Sequence, residues 1–368
     1  MNRAFSVYLD LVRFAAAWLV YLYHSNQRLI VNDVVAASHF GHGAVIVFFV
    51  LSGLVIAYVT DTKERDWVSF SASRLSRIYS VALPAVVLTV VLDAIGRHLY
   101  PALYDYPFDH IALRMATSLL LLNEVWFVSI TPFSNVPYWS ICYEGWYYVA
   151  FAVVAFVPRP LAWALLAVLA MLLGPKVALL APIWWAGVVL YRWQALRSLS
   201  PALSWLLVVL SVAGLVLFHQ AGVAAAVSTL MKAWVGAEWQ KELTFSQDFL
   251  SDYLLGLLVF CHFAGMRGAA PTVARALLAI ERPARFLAGF TLTLYLLHQP
   301  LLLFWASVVR GDPGGSGYWW AVTALTAGSV IAIGHVTESK RQSLRRWIER
   351  HLQRLRAQWF AARGPVQG

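Results

Sequence analysis

Long apolar segments separated by short polar ones make up most of the chain. About 20 apolar residues are enough to cross a bilayer as a helix, and ten segments approach this pattern. The fifth and sixth are short, and we expect tilted or broken helices there. The pattern predicts an all-α fold, a polytopic membrane helical bundle with about ten transmembrane helices. The predicted spans are residues 7–24, 42–59, 80–100, 139–157, 161–175, 180–192, 202–219, 249–265, 286–309 and 318–337.

Weaker apolar segments lie between these spans. Residues 113–128 and 223–235 are apolar enough to predict re-entrant or interfacial helices. The last apolar segment ends near residue 337. The chain therefore divides into a membrane domain, 1–337, and a basic cytoplasmic C-terminal tail, 338–368.

The composition supports an integral membrane protein. Apolar residues make up 60% of the 368 and charged residues only 12%, against roughly 25% charged in an average soluble domain. The net charge of +10 is concentrated in the tail, which carries eight Lys or Arg and two acids. Such a segment next to a membrane favours anionic lipid over nucleic acid. Cys142 and Cys261 both lie in apolar runs, which argues against a disulfide framework.

The distribution of positive charge orients the predicted bundle. With the N-terminus inside, 21 of the 28 Lys and Arg residues fall in inside segments. The positive-inside rule then places both termini in the cytoplasm. The largest outer segments, 101–138 and 220–248, are polar and aromatic enough to receive a substrate.

Three polar residues in the first span are candidates for function, because charge inside a membrane is costly. Asp10 and Arg13 are three residues apart on one helix face and can form an ion pair. His24 follows Arg13 by eleven residues, about three turns and ~16 Å along the same face. The three side chains can therefore line one cavity. The alternative to a shared cavity is that Arg13 snorkels to the membrane surface and His24 lies at the interface.

Two arginines precede the third span. Arg74 and Arg77 share a helix face at the predicted cytoplasmic interface. Guanidinium groups bind phosphate oxygens bidentately, so the pair is a candidate phosphate clamp. The other interpretation is that both arginines act only as topology anchors.

Further candidates lie in the second, fourth and ninth spans. Glu144 has no Lys or Arg within four residues and needs a partner from another helix. It enters from the outer side, where His24 exits, so we expect the carboxylate beside the imidazole, raising its basicity. His298 precedes a proline, and alone it is typical of a structural residue. Ser52 is a possible but unsupported nucleophile. His24, His39 and His42 lack the acidic ligand spacing of a metal site, and we expect no metal.

The chain carries five motifs in a fixed order, and the membrane portion that contains them runs from residue 7 to about 337. They are Arg13 with His24 (Arg-x10-His), residues 48–53 (FFVLSG), Arg74 with Arg77 (Arg-x-x-Arg), Trp139 and Ser140 with Glu144 and Tyr148, and residues 295–300 (YLLHQP). The chain resembles the integral-membrane acyltransferase-3 family, which O-acylates glycans and related hydroxyl acceptors. It departs from the family in residues 78–80, where an early proline is usual and this chain has its proline later, at Pro84, and at Gly145, where a polar residue is common. We expect no appended esterase-like domain.

The resemblance implies a chemistry and a set of roles. The donor would be a cytoplasmic acyl-CoA, in most cases acetyl-CoA, and the acceptor a hydroxyl of a glycan or lipid-linked sugar. The location would be the bacterial inner membrane, in contact with membrane lipids. The implied catalytic residues are His24, Glu144 and His298, the implied coenzyme A ligands are Arg13, Arg74 and Arg77, and the implied supporting residues are Asp10, Ser52 and Trp139.

Two other functions remain open from the sequence. Ten spans and buried charges also suit a transporter or flippase for a lipid-linked glycan, although no inverted repeat is visible. A non-catalytic membrane partner in a glycan-assembly complex is the third hypothesis. Binding of coenzyme A separates the enzyme from both.

Overall fold

The structure, a computed structural model, describes residues 1–29, 35 and 38–362. All regular structure in this part of the chain is helical. The α-helices are α1 (Arg3–Leu29), α2 (Gly41–Thr62), α3 (Trp67–Leu99), α4 (Ile111–Leu119), α5 (Trp139–Phe156), α6 (Arg159–Leu173), α7 (Pro175–Arg192), α8 (Pro201–Gln220), α9 (Val223–Val235), α10 (Ala237–Glu242), α11 (Phe249–Ala269), α12 (Ala274–Ala279), α13 (Glu281–Gly289), α14 (Thr291–Val308) and α15 (Ser316–Ala362).

The predicted helical bundle is confirmed, and each predicted span overlaps at least one helix. Seven helices among the described residues are long and apolar enough to cross a membrane: α1, α2, α3, α8, α11, α14 and α15. The other three predicted spans correspond to α5, α6 and α7, which have 18, 15 and 18 residues. The predicted span 286–309 begins within α13, and the chain breaks at Phe290 before α14 starts.

The helix α3 begins well before the predicted span at residue 80. The Asp66 side chain caps it by accepting hydrogen bonds from the backbone N–H groups of Val68 and Ser69, at 3.0 and 3.1 Å. Partial burial acts to raise the pKa of Asp66, but the bonds from Ser69 and Val68 keep it below its usual value. The cap places Arg74 and Arg77 inside a helix, one turn apart, rather than in a loop.

Residues 113–128 differ from the predicted single helix. The helix α4 ends at Leu119, and the chain continues irregularly to Trp139 through three residues with positive φ: Leu121, Trp126 and Phe133. This segment is held by side chains from elsewhere. The Leu121 carbonyl accepts the indole N–H of Trp146 at 2.7 Å. The predicted interfacial helix at 223–235 is present as α9.

Asp93 and Arg97 are four residues apart on α3, a spacing that favours an ion pair, but the structure does not form it. Asp93 is buried and accepts from the Ser134 hydroxyl and backbone N–H at 2.6 and 2.9 Å. Arg97 donates instead to the carbonyls of Tyr104 and Tyr106. Both side chains thus hold the segment between α3 and α5, which would otherwise leave buried backbone groups without partners.

The helices pack side by side in an order unlike their order in the chain. The helix α1 lies between α2 and α14, α3 packs on α14 and α15, and α2 packs on α7, followed by α11 and α8. Outward faces carry exposed apolar side chains, such as Leu206, Val209 and Leu217 on α8. An apolar exterior around a polar interior is the arrangement that a bilayer stabilises.

The closest crossing of two helices is that of α2 and α7. A Cβ at Gly53 would collide with the Trp184 carbonyl, and one at Gly187 with the Val50 carbonyl. Small residues at a helix interface let the backbones approach, as in other membrane bundles. This contact explains the glycine that ends the FFVLSG motif, and it fixes α2 beside the polar interior.

We expect alanine at Gly53 or Gly187 to lower the free energy of unfolding by about 1–3 kcal/mol, because backbone atoms cannot yield as a side chain can. Thermal unfolding in detergent measures the effect. Gly328→Ala is the matched control, since a Cβ there meets nothing within 4 Å and alanine favours the helix. Unchanged melting of both α2–α7 variants would contradict the tight crossing.

Candidate active site

One end of the bundle carries a pocket lined by three arginines, Arg13, Arg74 and Arg77, which we call the arginine pocket. They come from the N-terminal halves of α1 and α3, and the sequence predicts all three near the cytoplasm. The pocket is also lined by Ser52, Ser140, Glu144, Tyr148 and Tyr295. All three predicted coenzyme A ligands therefore lie together, and the clustering of cations suits an anionic ligand.

Acidic side chains fix two of these arginines. The predicted ion pair of Asp10 with Arg13 is present at 3.1 Å. Arg74 donates through Nη2 to both carboxylate oxygens of Glu64, at 2.7 and 3.0 Å. Glu64 is buried in a membrane-end loop and was not singled out from the sequence. Both guanidinium groups are therefore held in place before any ligand binds.

The tail contributes a further arginine to this end. The helix α15 continues through residue 338, so the predicted domain boundary falls inside a helix, and Arg341 comes within electrostatic range of Arg74 and Arg77. Among the described residues, no ion pair within 4 Å involves Arg77 or Arg341. Glu338 and Arg345 reach the same end, where they contact Thr293 and Glu64. Glu338, Arg341 and Arg345 are three and four residues apart, so they lie on one face of α15. This spacing was the signal for the group in the sequence.

Glu144 lies in the arginine pocket. Its Oε1 accepts from the Ser52 hydroxyl and the Tyr148 hydroxyl, both at 2.5 Å, and its charge acts on Arg77. The expected pairing of Glu144 with His24 is therefore not the one the structure forms. Helix α5 turns this carboxylate towards α2 and α3, where it offsets arginine charge.

His24 is paired with His298 instead. The Nε2 of His298 lies 3.1 Å from the Nδ1 of His24, and the His298 Nδ1 lies 2.8 Å from the Tyr295 carbonyl. A carbonyl oxygen only accepts, so the His298 Nδ1 carries a proton, and in the neutral ring its Nε2 accepts from His24. The His24 Nδ1 also lies 3.0 Å from the Val20 carbonyl. The network assigns the His24 proton to Nδ1 and leaves Nε2 as the basic nitrogen of the neutral ring.

His24 opens onto a second space, which we call the histidine cavity. It is a cavity of about 210 Å³ lined by aromatic and polar side chains, far more than the roughly 10–15 Å³ that one water needs. Trp139 stacks on Phe245 at 4.7 Å with the rings 2° from parallel. The lining includes Tyr23, His24, His42, Trp139, Phe245, Tyr295 and Gln299.

Tyr295 separates the arginine pocket from the histidine cavity. It lines both spaces, together with Val45. The Tyr295 hydroxyl lies 2.7 Å from the Ser140 hydroxyl, which joins α14 to α5. Phe48 of the FFVLSG motif packs edge-on against the Tyr295 ring at 5.5 Å. Residues of three sequence motifs thus build a single wall between a cationic pocket and an imidazole.

A buried ion pair supports the loop beside α5 and was missed in the sequence. The positive-inside count leaves Lys176 among the seven cations of the outer segments, but its ammonium contacts Glu124 at 2.7 Å, and both side chains are 0% exposed. Lys176 also donates to the Val128 carbonyl, and Glu124 accepts from Ser129. The pair ties α7 to the irregular segment ahead of Trp139. Lys176 is a single cation in an apolar stretch, and this was the available signal for a buried partner. The partner, Glu124, lies 52 residues away, so spacing along the chain does not identify it.

These features define a polytopic integral membrane protein with two internal spaces that carry polar side chains, the arginine pocket and the histidine cavity. The sequence model of the family described as an acyltransferase domain matches residues 6–334. The chain belongs to this acyltransferase-3 family, which confirms the resemblance, and it is a membrane acyltransferase. No curated protein and no solved structure matches it.

We expect Lys176→Met alone to destabilise the protein by about 3–5 kcal/mol, because it leaves the Glu124 carboxylate buried without its cation. Glu124→Gln combined with Lys176→Met removes both charges and should recover much of that loss. Thermal unfolding of the two single variants and the double variant measures the coupling. Equal and additive losses would show that the pair is not a unit.

Proposed function

We propose that the protein is a membrane O-acyltransferase that moves an acyl group from cytoplasmic acyl-CoA to a hydroxyl of a glycan or lipid-linked sugar. The hydrogen-bonded pair of His24 and His298 is the observation that carries the proposal. It presents a basic nitrogen, Nε2 of His24, in a cavity one side chain away from a pocket of arginines. An acetyl group on the donor is the expectation from the family.

The arginine pocket is the proposed donor site. Coenzyme A carries a diphosphate and a 3′-phosphate, and guanidinium groups bind such oxygens with charge-assisted hydrogen bonds. Arg77, which lines the pocket, and Arg341, which lies outside the lining but close enough for its charge to act on Arg77, are the leading ligands. Neither has an ion-pair partner within 4 Å among the described residues. Arg13 and Arg74, held by Asp10 and Glu64, supply fixed positive charge beside them.

The long pantetheine arm accounts for the separation of the two motif residues on α1. Arg13 and His24 lie about 16 Å apart along the helix. A donor anchored by phosphates at the arginine end would extend its thioester past Tyr295 towards His24. Glu144, bound to Ser52 and Tyr148, would then act as a counter-charge that positions this wall rather than as a partner of the base.

Two routes use the basic nitrogen of His24. In direct transfer, Nε2 takes the proton from the acceptor hydroxyl while its oxygen forms a bond to the acyl carbon and the C–S bond breaks. In double displacement, Nε2 attacks the thioester, the thiolate leaves, and the acyl group on His24 passes to the acceptor. His298 serves both by keeping the proton of His24 on Nδ1.

The histidine cavity is the proposed acceptor site. The parallel stack of Trp139 and Phe245 and the amide of Gln299 give it apolar surface with a few polar groups, which is the usual make-up of a ligand pocket. Its predicted position at the outer face agrees with a glycan acceptor in the bacterial inner membrane. The family assignment favours this enzyme over a lipid-linked glycan transporter.

We expect His24→Ala to lower the release of thiol from acetyl-CoA by about 10²–10⁴-fold, because the basic group is lost. The assay follows free thiol from purified protein in detergent with candidate glycans. His335→Ala, at an exposed position of α15, is the matched control. Full turnover by folded His24→Ala protein would exclude this role.

Arg77→Gln and Arg341→Gln are each expected to weaken the binding of coenzyme A by about tenfold or more, since a hydrogen bond to a charged group contributes about 1.5–3 kcal/mol. Titration calorimetry with coenzyme A tests this without any acceptor. Arg310→Gln removes an exposed arginine near the opposite end of α14 and should leave affinity unchanged. Wild-type affinity in the Arg77/Arg341 double variant would remove the arginine pocket as the donor site.

A further inference from the structure

A second histidine faces the histidine cavity and is bound to a buried carboxylate. His42, in the first turn of α2, places its Nε2 2.8 Å from Oδ1 of Asp252 on α11. The Asp252 side chain is 2% exposed, while that of His42 is 44% exposed. His42 lines the same cavity as His24. The arrangement is a buried acid behind an accessible imidazole that opens onto a ligand space.

The hydrogen bond fixes which nitrogen of His42 is basic. An ionised carboxylate accepts only, so Nε2 of His42 carries the proton and donates it to Asp252. Nδ1 is then the basic nitrogen of the neutral ring. A carboxylate in this position holds the tautomer and stabilises the imidazolium formed on proton uptake, as it does in catalytic triads. The Oδ2 of Asp252 has no hydrogen-bond partner among the described residues, so its charge is directed mainly at His42.

The close packing of α2 on α11 brings His42 and Asp252 together. Gly43 lies against Leu255, and Gly256 lies against Ile46 and Ile183, which brings the two helices close beside His42. His42 and Asp252 are 210 residues apart in the chain. Asp248, one turn before Asp252, adds a second negative charge that acts on His42.

Double displacement needs a base other than His24. Once Nε2 of His24 carries the acyl group, that nitrogen can no longer accept a proton. The acceptor hydroxyl must nevertheless lose its proton as its oxygen attacks the acyl carbon. His298 does not supply this base, because its Nδ1 is held by backbone carbonyls and its Nε2 faces His24.

We propose that His42, held by Asp252, is the general base of the second half-reaction. This inference rests on the proposed acyltransferase function and selects the double-displacement route. In the step, the acceptor oxygen forms a bond to the acyl carbon, the bond from that carbon to His24 Nε2 breaks, and the hydroxyl proton moves to His42 Nδ1. The products are the acylated acceptor, neutral His24 and a protonated His42 that returns its proton to water.

The test compares nucleophiles that do and do not need a base. Full-length protein in detergent receives acetyl-CoA with water and methyl glucoside as hydroxyl probes, or with hydroxylamine, whose unprotonated nitrogen attacks an acyl-imidazole without help. For His42→Gln we expect thiol release with the hydroxyl probes to fall by about 10²-fold or more. Release with hydroxylamine should stay at the wild-type rate, because acylation of His24 is intact.

A second variant and a control keep the result interpretable. Asp252→Asn should show the same split between the probes with a smaller loss, since it removes the charge and keeps the shape. His335→Gln is the matched control and should change neither rate. Thermal unfolding of each variant confirms that it is folded.

Three results would overturn the inference. Wild-type release with the hydroxyl probes in both folded variants would remove His42 as the base. An equal loss with hydroxyl probes and hydroxylamine would show that the pair only joins α2 to α11. A wild-type protein that releases no thiol with any nucleophile would instead overturn the proposed function, and this inference with it.

Discussion

The hydrogen bond between His24 and His298 sets the chemistry of the whole interior. It lies where α1 meets α14, and it runs from backbone carbonyls of α14 through two imidazoles to a single basic nitrogen. Because each ring has one proton to share when neutral, the carbonyl at one end determines the tautomer at the other. An imidazole free to change tautomer would present its proton and its lone pair to the cavity alternately. The packing of α14 therefore specifies which ring nitrogen of His24 on α1 carries the proton.

The placement of charge follows from the need to keep that nitrogen apart from the cations. Guanidinium groups beside an imidazole would disfavour proton uptake by it. The structure separates them by the depth of the bundle, with Tyr295 and Ser140 forming the wall between the two spaces. Asp10, Glu64 and Glu144 hold the cationic end together, which limits the cost of placing several arginines next to one another. A ligand bridging both spaces would have to be long and anionic at one end only.

The frame around this site depends on contacts between distant parts of the chain. The glycines of α2 and α7 let two helix backbones touch, and this fixes the helix that carries both Ser52 and His42. The buried pair of Lys176 and Glu124 holds the segment that leads into α5. The continuous α15 connects the membrane interior to the basic tail, so the tail places Arg341 within electrostatic range of Arg74 and Arg77.

The sequence determined the main helical segments, their apolar faces, and the pairing of Asp10 with Arg13 within α1, because these depend on spacing along the chain. The order of the motifs also identified the family. Only the tertiary structure decided which helices meet. It paired His24 with His298 rather than Glu144, and it turned Asp93 away from Arg97, because a buried polar group takes whichever partner the packing supplies. Apolar helix faces can pair in many ways with similar energy, so partners far apart in the chain carry no local signal.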